Sequence, residues 1–249
     1  MVAVYPSKPP PSLPHPDICP RDDTVRKLAA LLDDMLVVHV RGTPSSGKTT
    51  LAGLLYHHYV RLDQPVVFIT GWEHVIDPIE NLVALCRNRG YEDINQANLL
   101  ASEFVFIIDE AQESYRDRDL WLGIIKTHSG RMWGARICLF SSYGSPIHGN
   151  PRRSPNTTPV HLGQSQRVSI KPSHIPDSPD FGLFFSRDEF KDVLDRICSH
   201  PTLSFRMEST ARAYLYSMTN GHPGAVSTLT SYIYEVCKDF LRVALDVTN

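Results

Sequence analysis

A short run near the start of the chain constrains its fold more than any other segment. It reads Gly42-Thr43-Pro44-Ser45-Ser46-Gly47-Lys48-Thr49 and fits the pattern G-x-x-x-x-G-K-[ST]. The apolar residues 36–40 before it predict a buried strand, and residues 48–60 predict a helix. Glycines let the backbone N–H groups of such a loop turn toward phosphate oxygens, and the dipole of the helix favours the same charge. We therefore expect a phosphate-binding loop, the alternative being an ordinary glycine-rich turn.

The loop predicts ATP and Mg²⁺ as ligands. Lys48 is expected to bridge the β- and γ-phosphates and to assist catalysis, and the Thr49 hydroxyl is expected to bind Mg²⁺. The residues assigned to the nucleotide here are Gly42, Thr43, Pro44, Ser45, Ser46, Gly47, Lys48, Thr49 and Thr50.

A second predicted strand ends in two carboxylates. Residues 104–108 are apolar, and Asp109 and Glu110 follow them. In a parallel sheet the carboxyl ends of the strands share one edge with the phosphate loop, so Asp109 is expected to hold Mg²⁺ directly or through water. Glu110 is then the candidate general base that activates the attacking water. Without the loop, the same pattern would indicate only a solvated strand end.

The predicted strand over residues 136–141 also ends in polar residues. ATPases of the AAA+ and STAND type place a sensor of the γ-phosphate at this point. We assign that role to Ser142, with Gln112 as the alternative. The other interpretation is that these residues are strand-end hydroxyls without a catalytic role.

The wider pattern alternates strands with helices and then becomes helical. This predicts an α/β fold, a P-loop NTPase parallel sheet flanked by helices and followed by a small all-α lid domain. The further predicted helices cover residues 22–32, 78–89 and 120–127, the further strands 66–70 and 167–170, and a loop 142–166. The expected domains are a disordered Pro-rich arm at 1–20, an NTPase core at 21–175 and a helical lid at 176–249.

The predicted lid has clear helix boundaries. Ser186 and Glu189 form a capping box, a second helix is predicted over residues 207–218, and Pro223 begins a third. Gly221-His222-Pro223 matches the GxP motif that STAND-type lids place against the nucleotide base, so we assign Gly221, His222 and Pro223 to the cofactor. The simpler interpretation is a helix cap.

Charge is distributed unevenly along the chain, although the net charge is only −2. No acidic residue lies between Asp119 and Asp177, whereas seven basic residues do: Lys126, Arg131, Arg136, Arg152, Arg153, Arg167 and Lys171. One interpretation is an arginine finger, acting within the chain or on a neighbouring protomer of a homo-oligomer, with Arg152, Arg153 and Arg167 as candidates. A second is a surface for nucleic acid or an acidic partner over residues 120–176. The third is a coincidence of composition.

Several classes of protein are excluded by composition. The five cysteines are dispersed, odd in number and without a CxxC pair, which argues for a reducing compartment such as cytoplasm or nucleus and against a disulfide scaffold or a zinc site. Apolar runs are too short to span a membrane, and no signal peptide of the usual form is recognisable.

Three stretches resemble the NTPase module of Crinkler-type proteins of oomycetes and fungi. They are Arg41 to Thr49, Ile108-Asp109-Glu110-Ala111-Gln112-Glu113-Ser114-Tyr115 and Phe140-Ser141-Ser142-Tyr143-Gly144-Ser145-Pro146. The resemblance implies ATP hydrolysis in a secreted effector or toxin-like system that acts in a host cell, often with a nuclease-like domain following. Because no ubiquitin-like header and no nuclease are recognisable in these residues, effector delivery and DNA cleavage are not expected of them.

We therefore expect a Mg²⁺-dependent ATPase that binds ATP or ADP and couples its nucleotide state, through the lid, to an unidentified protein partner. Two alternatives remain open at this point. One is a nucleotide-dependent switch with slow turnover, and the other is a nucleic-acid-binding effector module with an auxiliary ATP site.

Overall fold

Two compact units make up the chain in the computed structural model, which describes residues 11–12, 18–72, 77–142, 160, 162–200 and 205–247. The first unit comprises Met1–Leu13, Asp22–Pro44 and Lys48–Leu183, and the second comprises Pro14–Arg21, Ser45–Gly47 and Phe184–Asn249. The domain boundaries that the sequence predicts, after residues 20 and 175, stay a prediction.

A five-stranded parallel sheet forms the centre of the first unit, with strand order β2-β3-β4-β1-β5. Its strands are β1 (Val37–Gly42), β2 (Val66–Thr70), β3 (Val105–Asp109), β4 (Arg136–Ser142) and β5 (Arg167–Val168). The four longer strands are rich in apolar residues that are buried on both faces, as expected for a parallel sheet covered by helices. The predicted fold class is confirmed.

The register of the sheet places the functional ends of three strands at one edge. Gly42 at the end of β1 pairs with Ser142 at the end of β4, and Asp109 at the end of β3 pairs with Thr70 of β2. Strand β4 therefore lies between the strand that leads into the phosphate loop and the strand that carries Asp109. The polar end of β4 consequently lies between them, and it carries Ser142, the predicted sensor of the γ-phosphate.

Helices cover both faces of this sheet. They are α1 (Asp22–Met35), α2 (Lys48–Arg61), α3 (Pro78–Arg87), a π-helix (Asp119–Ile125) that runs into α4 (Lys126–His128), and the 3₁₀ turns Leu99–Ala101, Ala111–Arg116 and Gln164–Gln166. The apolar stripe of α1 and the buried side of α2 pack on one face, against Val38, Val40 and Phe140. Helix α3 and the π-helix pack on the other, against Val37, Phe106 and Ile137.

Local structure departs from the sequence expectation at two places. The helix expected over residues 120–127 begins as a π-helix, in which Trp121 is completely buried and donates its indole N–H to Ser114 Oγ over 2.9 Å. The last strand has two residues rather than four, because the Ser169 carbonyl accepts from Leu183 N instead of continuing the ladder with β1. Most of the predicted loop at 142–166 lies outside the described residues.

The described residues of the second unit contain three helices, α5 (Arg187–Ser199), α6 (Ser209–Thr219) and α7 (Pro223–Val247). The predicted capping box is present, since Ser186 Oγ accepts from Glu189 N and Glu189 accepts in return from Ser186 N. Apolar side chains of the three helices form one core, which also includes Cys19. Of the predicted arm at 1–20, only residues 11–12 and 18–20 are described.

No helix in the described part of the chain is both long and apolar enough to cross a bilayer.

Candidate nucleotide-binding site

Lys48 is the first residue of α2 and is 6% exposed. Its ammonium donates to the carbonyls of Thr43 over 2.8 Å and Gly42 over 3.3 Å, so it lies folded back over the start of the loop. Burial lowers its pKa, and the neighbouring carboxylates of Glu110 and Asp109 oppose that shift. A buried ammonium with weak carbonyl partners is suited to exchange them for the more negative oxygens of a phosphate.

Asp109 ends β3 and is 1% exposed. The Thr49 side chain hydrogen-bonds its carboxylate, whereas the Oδ1 atom is buried with no hydrogen-bond partner among the described residues. Burial raises the pKa of this carboxyl. An orphaned buried carboxylate oxygen beside a threonine hydroxyl is the hard oxygen donor set that Mg²⁺ prefers, so these residues fit the predicted ion.

Glu110 follows in a left-handed conformation, with φ at +53°. This bend ends the strand and begins the 3₁₀ turn Ala111–Arg116. Gln112 on that turn donates through Nε2 to the Glu110 carboxylate, and its Oε1 accepts from the backbone N–H of Ser142 over 3.0 Å. The structure thus brings Glu110, Gln112 and Ser142 together, with Gln112 bridging the other two.

A buried network next to these residues was not found by the sequence analysis. His39 Nε2 lies 2.7 Å from Ser141 Oγ, and the Tyr115 hydroxyl donates to the same Ser141 oxygen over 3.1 Å. Burial, followed by the charges of Arg41 and Arg167, lowers the pKa of His39 to about 3, so this imidazole is neutral at ordinary pH. The signal that could have found it is a histidine inside an otherwise apolar strand.

The middle of the loop groups with the second compact unit. Ser45 and Gly47 both have positive φ, +58° and +86°, which a glycine tolerates best. The N–H of Gly224 donates to the Ser45 carbonyl over 2.9 Å, and a Cβ on Gly47 would lie 3.3 Å from Pro223 Cγ. Ser46 is completely buried. At the outer positions, Pro44, Thr49 and Thr50 are exposed and Thr43 is half-buried.

Pro223 is the first residue of α7, and Gly221 and His222 directly precede it. Gly221 has a φ of +78°, and a Cβ there would collide with the Phe185 carbonyl, so the position requires glycine. His222 Nδ1 accepts from Ala225 N over 3.2 Å, which caps the helix, and its ring packs edge-on against Phe184. The helix-cap interpretation therefore has direct support, and a contact with a nucleotide base stays a prediction.

Of the three arginines predicted as candidate arginine fingers, only Arg167 lies among the described residues. Arg152 and Arg153 lie outside the described residues. Arg167 is on β5, where it pairs in register with His39 of β1.

The fold of the chain is similar to that of solved structures. A Walker-type ATPase of Pyrococcus abyssi aligns over 95% of this chain and 77% of its own, with a TM-score of 0.50 and 17% sequence identity. The chain shares the fold of that protein. RuvB of Thermotoga maritima aligns over 90% of this chain and 64% of its own, with a TM-score of 0.42 and 16% identity. This chain thus spans less than two thirds of the RuvB chain.

No protein-family model and no curated protein matches the sequence. The resemblance to Crinkler-type modules therefore stays a prediction.

Proposed function

We propose that the chain binds Mg²⁺-ATP through residues 42–50 and hydrolyses it. The observation that carries this proposal is Asp109, a buried carboxylate with one unpartnered oxygen, hydrogen-bonded to Thr49 and close enough to Lys48 to influence its pKa. These three residue types are the ones that P-loop enzymes use for the metal and the terminal phosphates.

In the proposed complex, Lys48 exchanges its bonds to the Gly42 and Thr43 carbonyls for phosphate oxygens. Thr49 and Asp109 would hold Mg²⁺. When it is bound, this ion would neutralise part of the negative charge on the β- and γ-phosphates. The backbone N–H groups of the loop and of the first turn of α2 add further donors to the phosphates.

Glu110 is the proposed general base. Its carboxylate takes a proton from a water molecule as the water oxygen attacks the γ-phosphorus, and the bond to the bridging oxygen of ADP breaks. Gln112, which donates to Glu110 and accepts from Ser142 N, is proposed to orient this carboxylate. This assigns Gln112 as a positioning residue, and the γ-phosphate sensor remains with Ser142.

Gly221, His222 and Pro223 are proposed to face the base, and one of Arg152, Arg153 and Arg167 to act as the arginine finger. A reducing intracellular location and an unidentified protein partner also remain proposals.

Binding is tested by calorimetric titration of ATP in the presence of Mg²⁺. Wild type should bind, Lys48→Ala should lose most of the affinity, and Lys126→Ala, which removes an exposed lysine of the same unit, should behave as wild type. Absence of ATP binding to wild type, or binding indifferent to Lys48, would contradict the proposal.

Hydrolysis is tested by phosphate release with Glu110→Gln and, as the matched control, the exposed Glu103→Gln. Loss of the general base should lower turnover by about 10²–10⁴-fold and leave ATP affinity unchanged. If wild type binds ATP but turns over no faster than Glu110→Gln, the chain is the slow nucleotide switch rather than an ATPase.

A further inference from the structure

A second cationic site lies at the β5 edge of the sheet, in the first compact unit. It is a cavity of about 230 Å³ between the end of β1, strand β5 and the segment after it. None of Lys48, Thr49, Asp109 and Glu110 lines it. The polar side chains that do are Arg41, Arg167, Lys171, Ser169, Ser173 and Ser178.

The charge of this cavity is strongly positive. Three basic side chains line it, and no carboxylate does so among the described residues. Asp180 lies close along the chain, but its carboxylate accepts from Lys27 over 2.9 Å. The positive potential reaches the neighbouring His39, because the charges of Arg41 and Arg167 both contribute to lowering its pKa.

Two donors in the cavity lack acceptors. Arg167 Nε and Ser178 Oγ are both buried without a hydrogen-bond partner among the described residues. A buried donor that is left unsatisfied costs free energy, more so when it belongs to a charged group. An anion in the cavity would supply acceptors to both, and would offset the mutual repulsion of the basic side chains.

We propose that this cavity binds a phosphate group, at a site separate from the phosphate loop. Several cationic donors and hydroxyls around one small volume favour an oxyanion with multiple charges and acceptors, since guanidinium groups match phosphate oxygens in geometry. The volume is below the roughly 300–1,000 Å³ of pockets that enclose drug-sized ligands, so it suits one phosphate group rather than a whole nucleotide. The group belongs either to a free phosphate ion or to a nucleic-acid backbone.

The test uses the full chain carrying Lys48→Ala, which disables the phosphate loop, with inorganic phosphate as the probe in calorimetry. This protein should bind phosphate, with an affinity that falls as salt is added. Adding Lys171→Ala or Arg167→Gln should weaken binding by about tenfold or more, because each removes a charge-assisted hydrogen bond. Adding Lys126→Ala, which removes an exposed lysine outside the cavity, should leave the affinity for phosphate unchanged.

No phosphate binding to the Lys48→Ala protein would overturn the proposal, as would equal affinities in the cavity variants and the Lys126→Ala control. Lys171 lies in a loop after β5, so its substitution keeps the test decisive if Arg167→Gln disturbs the strand. Because the titration contains no ATP and Lys48 is substituted, the outcome does not depend on the proposed ATPase activity.

A fluorescent single-stranded DNA oligonucleotide distinguishes the two sources of phosphate. Once the site is established, competition between oligonucleotide and phosphate, with loss of both in Lys171→Ala, identifies a nucleic-acid backbone as the source. Oligonucleotide binding that is indifferent to Lys171→Ala identifies a free phosphate ion.

Discussion

At the level of single residues, the candidate site is built from charges that burial disfavours. Lys48 and Asp109 are both nearly inaccessible, and burial lowers the pKa of the first and raises that of the second. Their hydrogen bonds compensate this cost only in part, since one oxygen of Asp109 has no partner among the described residues. Such a site gains most from a ligand that brings both a cation and an anion, as Mg²⁺-ATP does.

Asp109→Asn should therefore stabilise the protein in the absence of nucleotide and Mg²⁺. The substitution removes a buried charge while keeping an oxygen that accepts from Thr49, and the gain is expected to be about 1–3 kcal/mol in the free energy of unfolding. Urea denaturation measures it, with the exposed Asp93→Asn as control. A destabilised Asp109→Asn would show that the carboxylate is better satisfied than its contacts indicate.

His39 should make the stability depend on pH. Its pKa is lowered to about 3 in the folded protein, mainly by burial, against an ordinary value of 6.5. Between about pH 6.5 and pH 3, the imidazole is therefore protonated in the unfolded chain and neutral in the folded protein. The free energy of unfolding falls as the pH drops through this range. The loss amounts to several kcal/mol at most, because one pKa unit corresponds to about 1.4 kcal/mol.

His39→Gln should remove most of this loss. Urea denaturation of wild type and variant at about pH 7 and about pH 5 provides the comparison, and the difference between the two proteins should shrink at the lower pH. A residual slope is expected from His58 and His128, whose pKa values are also lowered by burial. A difference independent of pH would contradict a buried neutral imidazole.

At the level of elements, the start of α5 combines a helix cap with an ion pair. Glu189 accepts from Ser186 N within the capping box and also from both Nε and Nη2 of Arg21, over 3.0 and 3.3 Å. The side chains of Arg21 and Glu189 are only 3% and 10% exposed. One carboxylate thus fixes both the first turn of the helix and the segment that precedes α1.

Arg21→Ala should cost about 3–5 kcal/mol, because it leaves a buried carboxylate without its counter-charge. The matched control is Arg26→Ala, which breaks an exposed pair with Asp23 and should cost about 1 kcal/mol or less. Chemical denaturation of both variants measures the difference, and similar costs would refute the assignment of Arg21–Glu189 as a buried pair.

At the level of the whole molecule, the cysteines are unpaired and nearly all protected. Cys19, Cys86, Cys138 and Cys198 are buried, and Cys237 is exposed. Burial raises the pKa of Cys19 and of Cys86 to about 12, which keeps both thiols protonated and unreactive. The protein should therefore present a single reactive thiol.

Titration with a thiol-specific chromogenic disulfide should release one equivalent from the native protein and five after denaturation. Cys237→Ser should abolish the native reaction and leave four equivalents in denaturant. Fast reaction of more than one thiol in the native protein would contradict this prediction, because it would mean that at least one buried cysteine becomes accessible through local unfolding.

The sequence by itself determined the features that depend on neighbours along the chain. The loop of residues 42–49, the carboxylates after the strand at residues 104–108 and the Ser186 cap all follow from local spacing. The class of fold follows as well, because alternating strands and helices can bury their apolar faces only around a parallel sheet.

Tertiary structure alone decided which of these ends meet. Strand β4 lies between β1 and β3. Ser142 N can therefore donate to Gln112 Oε1, and the Ser141 hydroxyl can hydrogen-bond His39. Both contacts join residues that are far apart in sequence. The same strand order brings Arg41 beside Arg167 at the sheet edge and creates the cationic cavity. Strand order results from burial summed over the whole sheet, so no local pattern of residues could have specified these contacts.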